Sequence, residues 1–504
     1  LNKKWWSDTT STPLKSGIQF AHRQQFNKLD VVVGGYYLYN ESFRKGSFSR
    51  YGRVNTNFRY RFSDNLSAGV NLNYQQGKRA NFFLWANDTT GAYQPLPNSI
   101  TENANKKFII DPFVTYYRGN TKHKLLGRFY NINNDQSNEL NDQSLKSNFI
   151  YGEYQFQQNF EEAELVLTSG VVTSQISVNA ALYGDSLYTA RNSALYVNLD
   201  KKFFDKLNVS LGVRYERNAI SSPNVDDEEN KPVMRLGANY QTGKATYWRA
   251  SYGQGYRYPT IAEKYISTSL GTISIFQNDT LSSETGWSAE FGIKQGFKVG
   301  KFKGYFDAAL FWMEYDNMME FVFGQYGATF GDIGFASQNI GNTRVIGGEV
   351  SMVGTGKLFG LPTNILAGYT YSDPRYRNFE NVDTTLNSLG NVNVLKYRFR
   401  HVFKLDYEVK IKKFSLGLAL LGYSHMENID AIFEFDFAVP GIRSFREAHN
   451  SGTLVTNLRA AYEPNKKLKL SVLVNNLMNN EYALRPALLD APRNFSVRVD
   501  YRIQ

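Results

Sequence analysis

The side chains able to do chemistry here are few. The chain has no cysteine, so thiolate nucleophiles, disulfides and cysteine-ligated metals are excluded. Metal capture would then fall to the five histidines, His22, His123, His401, His425 and His449. They are dispersed, and no pair has metal-ligand spacing. His425 and His449, which flank or sit in the stretch 428–452, are the candidate pair for haem or metal capture. Two unpaired histidines do not make a closed site, so ordinary polar residues near a strand end and in a loop are the preferred reading, with no metal and no cofactor. The run Asp226-Asp227-Glu228-Glu229 offers oxygens to calcium but lacks the spaced ligands and turn glycine of a calcium loop, which leaves a solvated loop tip. No catalytic constellation of convergent titratable groups is present, and an enzyme is not expected.

Composition narrows the class. The 504 residues carry 57 Lys plus Arg against 46 Asp plus Glu, a net charge of +11 and a pI near 9.3. The charges are dispersed along the chain with no basic run, so nucleic acid is not an expected partner. No stretch approaches the ~18 uninterrupted apolar residues of a spanning helix. A membrane barrel is not excluded, because its strands need only alternate. The 34 Tyr, 36 Phe and 40 Gly against 13 Pro point to strands and turns.

Period-two alternation dominates. Leu207, Val209, Leu211, Val213 and Tyr215 fall on one face, and Asn208, Ser210, Gly212, Arg214 and Glu216 on the other. The same split recurs in Leu66 to Gln75 and in Phe495 to Ile503. Twenty-one such segments start near 15, 28, 49, 65, 106, 121, 146, 162, 192, 206, 232, 245, 281, 301, 338, 362, 395, 413, 453, 466 and 494. Their connections alternate without exception, ten short and ten long. Tight turns are expected at Asn27, Ser63-Asp64-Asn65, Gly119-Asn120, Asn159-Phe160, Phe204-Asp205, Thr242-Gly243, Val299-Gly300, Gly354-Thr355-Gly356, Lys412-Lys413 and Pro464-Asn465. The long stretches lie at 40–48, 79–105, 135–145, 177–191, 221–231, 258–280, 324–337, 374–394, 428–452 and 479–493. A Greek-key sandwich has no reason to sort loops by parity. Strands threading a bilayer must alternate sides, with short periplasmic turns and long outer loops. The fold expected is therefore all-β: a transmembrane antiparallel up-and-down barrel spanning residues 1–504, apolar side chains facing lipid and polar ones lining the lumen.

Parity also addresses what precedes Leu1. Single-chain bacterial barrels have even strand numbers, so one ascending strand is expected upstream and a total of 22. That is the size of the plugged outer-membrane transporters, which makes an upstream plug domain an expectation as well.

Several segments resemble the barrel of TonB-dependent outer-membrane receptors: YGQGYRYPTIAEKY (Tyr252 to Tyr265), LSSETGWSAEFGIK (Leu281 to Lys294), NIGNTRVIGGEVSM (Asn339 to Met352), VNNLMNNEY (Val474 to Tyr482) and APRNFSVRVDYRI (Ala491 to Ile503). The motif resemblance covers roughly residues 245 to 504, and the first half matches by strand pattern only; the overall look is closest to receptors of the Bacteroidetes type. The resemblance implies active uptake of a scarce nutrient across the outer membrane of a Gram-negative bacterium, with energy delivered by TonB through a plug. Outer-membrane lipid, the TonB complex, a small-molecule, oligosaccharide or peptide ligand and a surface lipoprotein are the partners it implies. A passive large-pore channel and a surface adhesin are the rival readings.

In such a barrel Arg257, Arg344, Arg398 and Arg400 are candidate luminal residues that attract an anionic ligand or pair with plug carboxylates, the second being the better account because charges lining a filled lumen need partners. Trp248, Trp287 and Trp312 near strand ends read as interfacial anchors. The candidate ligand contacts are loop aromatics: Trp85 and Tyr93 in 79–105, Phe276 in 258–280, and Phe433, Phe435 and Phe437 in 428–452. Their flat faces suit sugars, peptides or aromatic siderophores. Self-packing of the loops is an equal alternative.

Overall fold

The computed structural model describes residues 3–6, 12–137, 142–222, 226–270, 273–327, 329, 332–379 and 392–503. The alternating segments become β1 (Lys15–Phe26), β2 (Leu29–Asn40), β3 (Phe48–Arg61), β4 (Leu66–Asn81), β5 (Thr101–Arg118), β6 (Thr121–Ser137), β7 (Leu145–Phe160) and β8 (Leu165–Ala180). They continue as β9 (Leu187–Phe203), β10 (Leu207–Ser221), β11 (Asp226–Gly243) and β12 (Thr246–Arg257). Two short strands, β13 (Thr268–Leu270) and β14 (Ile273–Phe276), precede β15 (Glu284–Val299) and β16 (Phe302–Asp316). Two more, β17 (Met319–Gln325) and β18 (Ile333–Asn339), precede β19 (Thr343–Leu358) and β20 (Leu361–Tyr376). The series ends with β21 (His401–Ile411), β22 (Phe414–Tyr423), β23 (Thr453–Tyr462), β24 (Leu468–Asn475) and β25 (Asn494–Tyr501). One antiparallel sheet holds 21 of these strands, each paired with its neighbours in chain order. The four short strands form a separate sheet.

Alternation explains why the sheet has an oily outside. Val197, Val213 and Met234 lie side by side in register and are 45%, 49% and 41% exposed. A soluble protein does not leave such a row in water. The belt continues through Phe291, Leu310 and Val350 on neighbouring strands, as lipid contact requires. The opposite face is polar and wired across strands. Arg249 on β12 bonds Glu290 on β15 at 2.7 Å and also Asp307 on β16. Arg128 grips Asp111 through two bonds of 2.7 and 2.8 Å, and Arg459 grips Asp406 through two of 2.7 Å. Bidentate geometry holds register as well as charge.

Short connections close with residues in the left-handed region, namely Asn27, Gly119, Gly300, Lys412 and the pair Phe359-Gly360, as two-residue hairpins demand. Three turns differ from expectation: Thr242 and Gly243 are still strand, with the chain turning over residues 244–245, and two others also move. Asn159 and Phe160 are still strand, and the chain turns over residues 161–164. Gly354, Thr355 and Gly356 lie inside β19, and the turn falls at Phe359-Gly360. Glycine is there for packing, since a Cβ on Gly354 would sit 2.4 Å from the Phe302 ring. The expected loop at 221–231 also shortens, because β11 begins at Asp226.

Candidate functional site

Long connections gather at one end and build a cap. Leu84, Trp85, Tyr93, Phe335, Met426, Phe433, Val439, Ile442, Phe445 and Leu489 form a buried cluster drawn from four connections. Trp85 is fully buried, stands edge-on to Phe445 at 5.2 Å, and donates its indole N–H to the Pro440 carbonyl at 3.0 Å. Its backbone N–H reaches the Ala487 carbonyl at 2.9 Å. Trp6 packs on Tyr93 at 5.9 Å. The helix α2 (Ile442–Ala448) lays Ile442 and Phe445 into this core.

Beside the core runs the mixed sheet of β13, β14, β18 and β17, in which β14 and β18 pair in parallel and so tie the connection 258–283 to 317–342. The alternation predicts no strand in 258–280, where β13 and β14 lie, or in 324–337, where most of β18 lies, and it reads most of β17 as a continuation of the strand that starts near 301. Three or four residues with a parallel partner far along the chain give no local period to read.

The motif around Pro259-Thr260 has a mechanical role. Thr260 caps the helix α1 (Ile261–Tyr265) and Glu263 bonds back to the Thr260 N–H at 2.9 Å, a complete capping box. Arg257 holds the same Glu263 at 2.5 Å and Glu284 at 3.4 Å, while Lys264, almost fully buried, holds Asp227 at 2.5 Å. Asp227, Glu228 and Glu229 are thereby engaged with Lys264, Arg217 and Ser283. The acidic run is strand with paired carboxylates, not a solvated loop tip.

The other candidate arginines divide. Arg257 faces inward, on the side of Arg249, and pairs with carboxylates of this chain. Arg400 bonds Asp373 at 2.8 Å, Tyr371 at 3.0 Å and Glu427 at 3.3 Å; Arg398 lies 3.7 Å from Glu320. Both precede β21; Arg398 reaches a cap carboxylate, whereas Arg400 ties the end of wall strand β20, through Tyr371 and Asp373, to Glu427 of the cap. Arg344 is a correction. It pairs in register with Glu314, stands 6.0 Å over the Trp312 ring, and shares the outward face with Leu310 and Val350. Alternation fixes this, since Arg344 is an even number of residues from Val350. Trp287 and Trp312 stack at 6.2 Å on that outward face, and Trp248 stacks on Phe291 at 5.5 Å.

The candidate aromatics divide in the same way. Trp85, Tyr93 and Phe433 are buried in the cap core, which removes them as open stacking faces and makes them loop self-packing. Phe276 meets Tyr326 at 5.8 Å. Phe435 and Phe437 are 48% and 81% exposed and lie against each other at 5.7 Å.

Two recesses adjoin the cap. Beneath α2, at the outer end of the inward face of β22 and β23, Phe399, Tyr423, His425, Arg446, Tyr482 and Arg485 line a small niche. The His425 and His449 Nδ1 atoms meet the carbonyls of His449 and Phe445 at 3.3 and 2.8 Å. Burial and the neighbouring Arg446 guanidinium push His425 down, so it is neutral at physiological pH. Among the described residues no group of three or more His, Cys, Asp or Glu is placed to hold a metal. Lower on the inner wall, Gly237, Gly253, Gly255 and Gly286 floor an open furrow bounded by Arg235 and Tyr315.

Two carboxyls in the cap are strained electrostatically. Burial pushes Glu320 up against the opposing pull of Arg398, and burial likewise raises Asp490. A carboxyl raised in the folded state contributes most below its unfolded pKa, and that contribution fades as pH rises through the folded pKa. Glu320→Gln is therefore expected to make the cap more stable at neutral pH and to flatten its pH dependence above the unperturbed carboxyl value of 4.5. Hydrogen exchange of residues 317–342 against pH checks this, and an unchanged profile refutes it.

A family model described as TonB dependent receptor-like, beta-barrel matches residues 5–477. Among solved structures, the siderophore receptor PirA from Pseudomonas aeruginosa superposes with a TM-score of 0.67 at 13% identity, covering 97% of this chain and 76% of that one. The ferric-catecholate import receptor Fiu from E. coli K12 gives 0.72 at 13% identity, over 97% and 81%. The FrpB iron transporter from Neisseria meningitidis gives 0.71 at 12% identity, over 99% and 83%. No curated protein matches the chain in sequence.

Proposed function

The chain belongs to the TonB-dependent receptor-like β-barrel family of the Gram-negative outer membrane, and from that premise we propose that it is the translocation wall of a nutrient receptor energised by TonB. The ligand is captured at the cap, and a plug displaced by TonB opens the polar lumen. The observation that carries the reading is the division of labour in one sheet: an apolar belt outside, arginine-carboxylate pairs inside, and a cap of long loops at one end only.

In the same proposal, the rest of the protein supplies the plug and a further strand. β1 and β25 each have one paired neighbour here, and hydrocarbon tolerates no unpaired backbone edge. A strand between them satisfies both. The structural neighbours named for siderophore and iron make a ferric chelate the first ligand class to test; nothing in the reading requires bond breaking.

Of the candidate loop aromatics, Phe435 and Phe437 present the most open stacking faces and are assigned to ligand capture. The double substitution Phe435→Ala and Phe437→Ala is expected to leave the thermal midpoint unchanged and to weaken capture about tenfold or more, at ~1 kcal/mol per lost aromatic contact. The measurement is uptake of radio-iron as a catecholate chelate by cells depending on the full-length protein, with and without a proton uncoupler. Uptake that ignores the uncoupler, with a large constitutive conductance in planar bilayers, would favour the passive channel.

A further inference from the structure

The net charge of +11 is dispersed in the sequence, but four consecutive short turns, from the β11–β12 turn to the β21–β22 turn, concentrate lysine on one stretch of the rim, while the remaining short turns also carry Asp64, Glu161, Glu162, Glu164, Asp205 and Glu463. The turn segments 241–247, 296–304, 354–363 and 409–414 hold lysines and no acidic residue. At the capped end the segments 314–327 and 426–438 hold Glu314, Asp316, Glu320, Glu427, Asp430, Glu434 and Asp436, and no Lys or Arg. We propose that this sector of the short-turn rim, between β11 and β22 and continuing to Lys466 and Lys467, is a cationic patch that selects anionic phospholipid headgroups in the periplasmic leaflet.

Three features fit lipid and not a soluble partner. The turns at 300–301, 359–360 and 412–413 are too short to project lysines into the periplasm, so Lys301, Lys412 and Lys413 stay at the membrane surface. Among the described residues these three, with Lys466 and Lys467, make no ion pair, whereas Lys410 and Lys469 share Glu463 at 3.1 and 3.6 Å. Bare aromatics sit at the same level: Phe359 in the 359–360 turn is 95% exposed, and Phe204 in the separate 204–206 turn is 87% exposed, both with positive φ. Backbone in that region is costly for a large side chain. It puts a ring and an ammonium side by side at the level where acyl chains meet phosphates, the arrangement that binds aromatic and basic residues to an anionic interface.

The inference rests on the outer-membrane placement and not on what the receptor carries, so failure of the uptake experiment leaves it standing. The full-length protein, purified in detergent, is offered equal amounts of phosphatidylglycerol and phosphatidylcholine, and retained lipid is counted by native mass spectrometry. Phosphatidylglycerol should be enriched, and enrichment should fall in about 0.5 M salt, where screening is short-ranged. The fivefold variant K301Q/K412Q/K413Q/K466Q/K467Q should lose at least about tenfold of the enrichment, given about fivefold per lysine near an anionic surface, while Lys→Arg at the same positions retains it. Heat-modifiable migration in detergent gels verifies that both variants fold. Equal retention of the two lipids, or enrichment indifferent to the five substitutions, overturns the proposal. Displacement by glycerol phosphate beyond that of sodium chloride at matched ionic strength would also overturn it, because the site would then be one for free phosphate.

Discussion

Asp430→Ala is expected to open the cap while the barrel stays assembled. Asp430 is fully buried, and so is the Lys396 ammonium that it neutralises. The Tyr397 hydroxyl donates to the same carboxylate, and burial together with that carboxylate pushes the hydroxyl far up, so it stays a donor at any physiological pH. Removing one partner of a buried pair strands the other charge and typically costs about 3–5 kcal/mol. An opening equilibrium shifted by that amount rises about a hundred- to several-thousand-fold, at about one decade per 1.4 kcal/mol. Limited proteolysis should then cut 424–452 quickly in the variant and slowly in the unaltered protein, with heat-modifiable gel migration unchanged. Equal cutting rates would show that the pair does not hold the cap. A double change of Lys396 and Asp430 to Met and Leu should recover much of the loss, since apolar residues of similar volume often replace a buried pair at no cost.

Trp85→Ala comes next in size. The indole is 0% exposed, packs on Phe445 and uses its only donor on Pro440. Cutting a buried Trp to Ala costs about 3–5 kcal/mol. The stabilisation concerns the cap, so the expected result is faster hydrogen exchange in 82–100, 424–452 and 476–493 together, with barrel strands unaffected. Any loss of ligand affinity should follow that disorder and be recovered in part by Trp85→Phe, which refills most of the volume. Phe435→Ala should do the reverse, changing affinity without changing exchange. If Trp85→Ala left exchange in all three segments untouched, the cap core described here would be wrong.

Much of the wall was legible because its signal is local. β10 reads as Leu207 to Tyr215 against Asn208 to Glu216 from five or six residues, and the structure keeps that division. Alternation also sets register, because a slip of one residue turns a strand inside out. Turns were less legible where glycine served packing: Gly354 resembles a turn residue but makes room for the ring of Phe302. Arg344 was misplaced because a charge was given to the lumen by its type, although its parity with Val350 puts it outside beside Trp312.

The sequence by itself therefore determined the membrane-spanning all-β wall, the side on which the long loops gather and the receptor family, since each follows from patterns a few residues long repeated along the chain. Only the tertiary structure decided which loop aromatics are buried, that Arg398 reaches the cap and Arg400 ties the wall to it, and that β14 lies parallel to β18. Contacts such as Trp85 with Pro440, 355 residues apart, depend on where separate hairpins converge in space. Charge follows the same rule: the lysines of four consecutive short turns, far apart along the chain, meet on one sector of the rim because every second connection returns there.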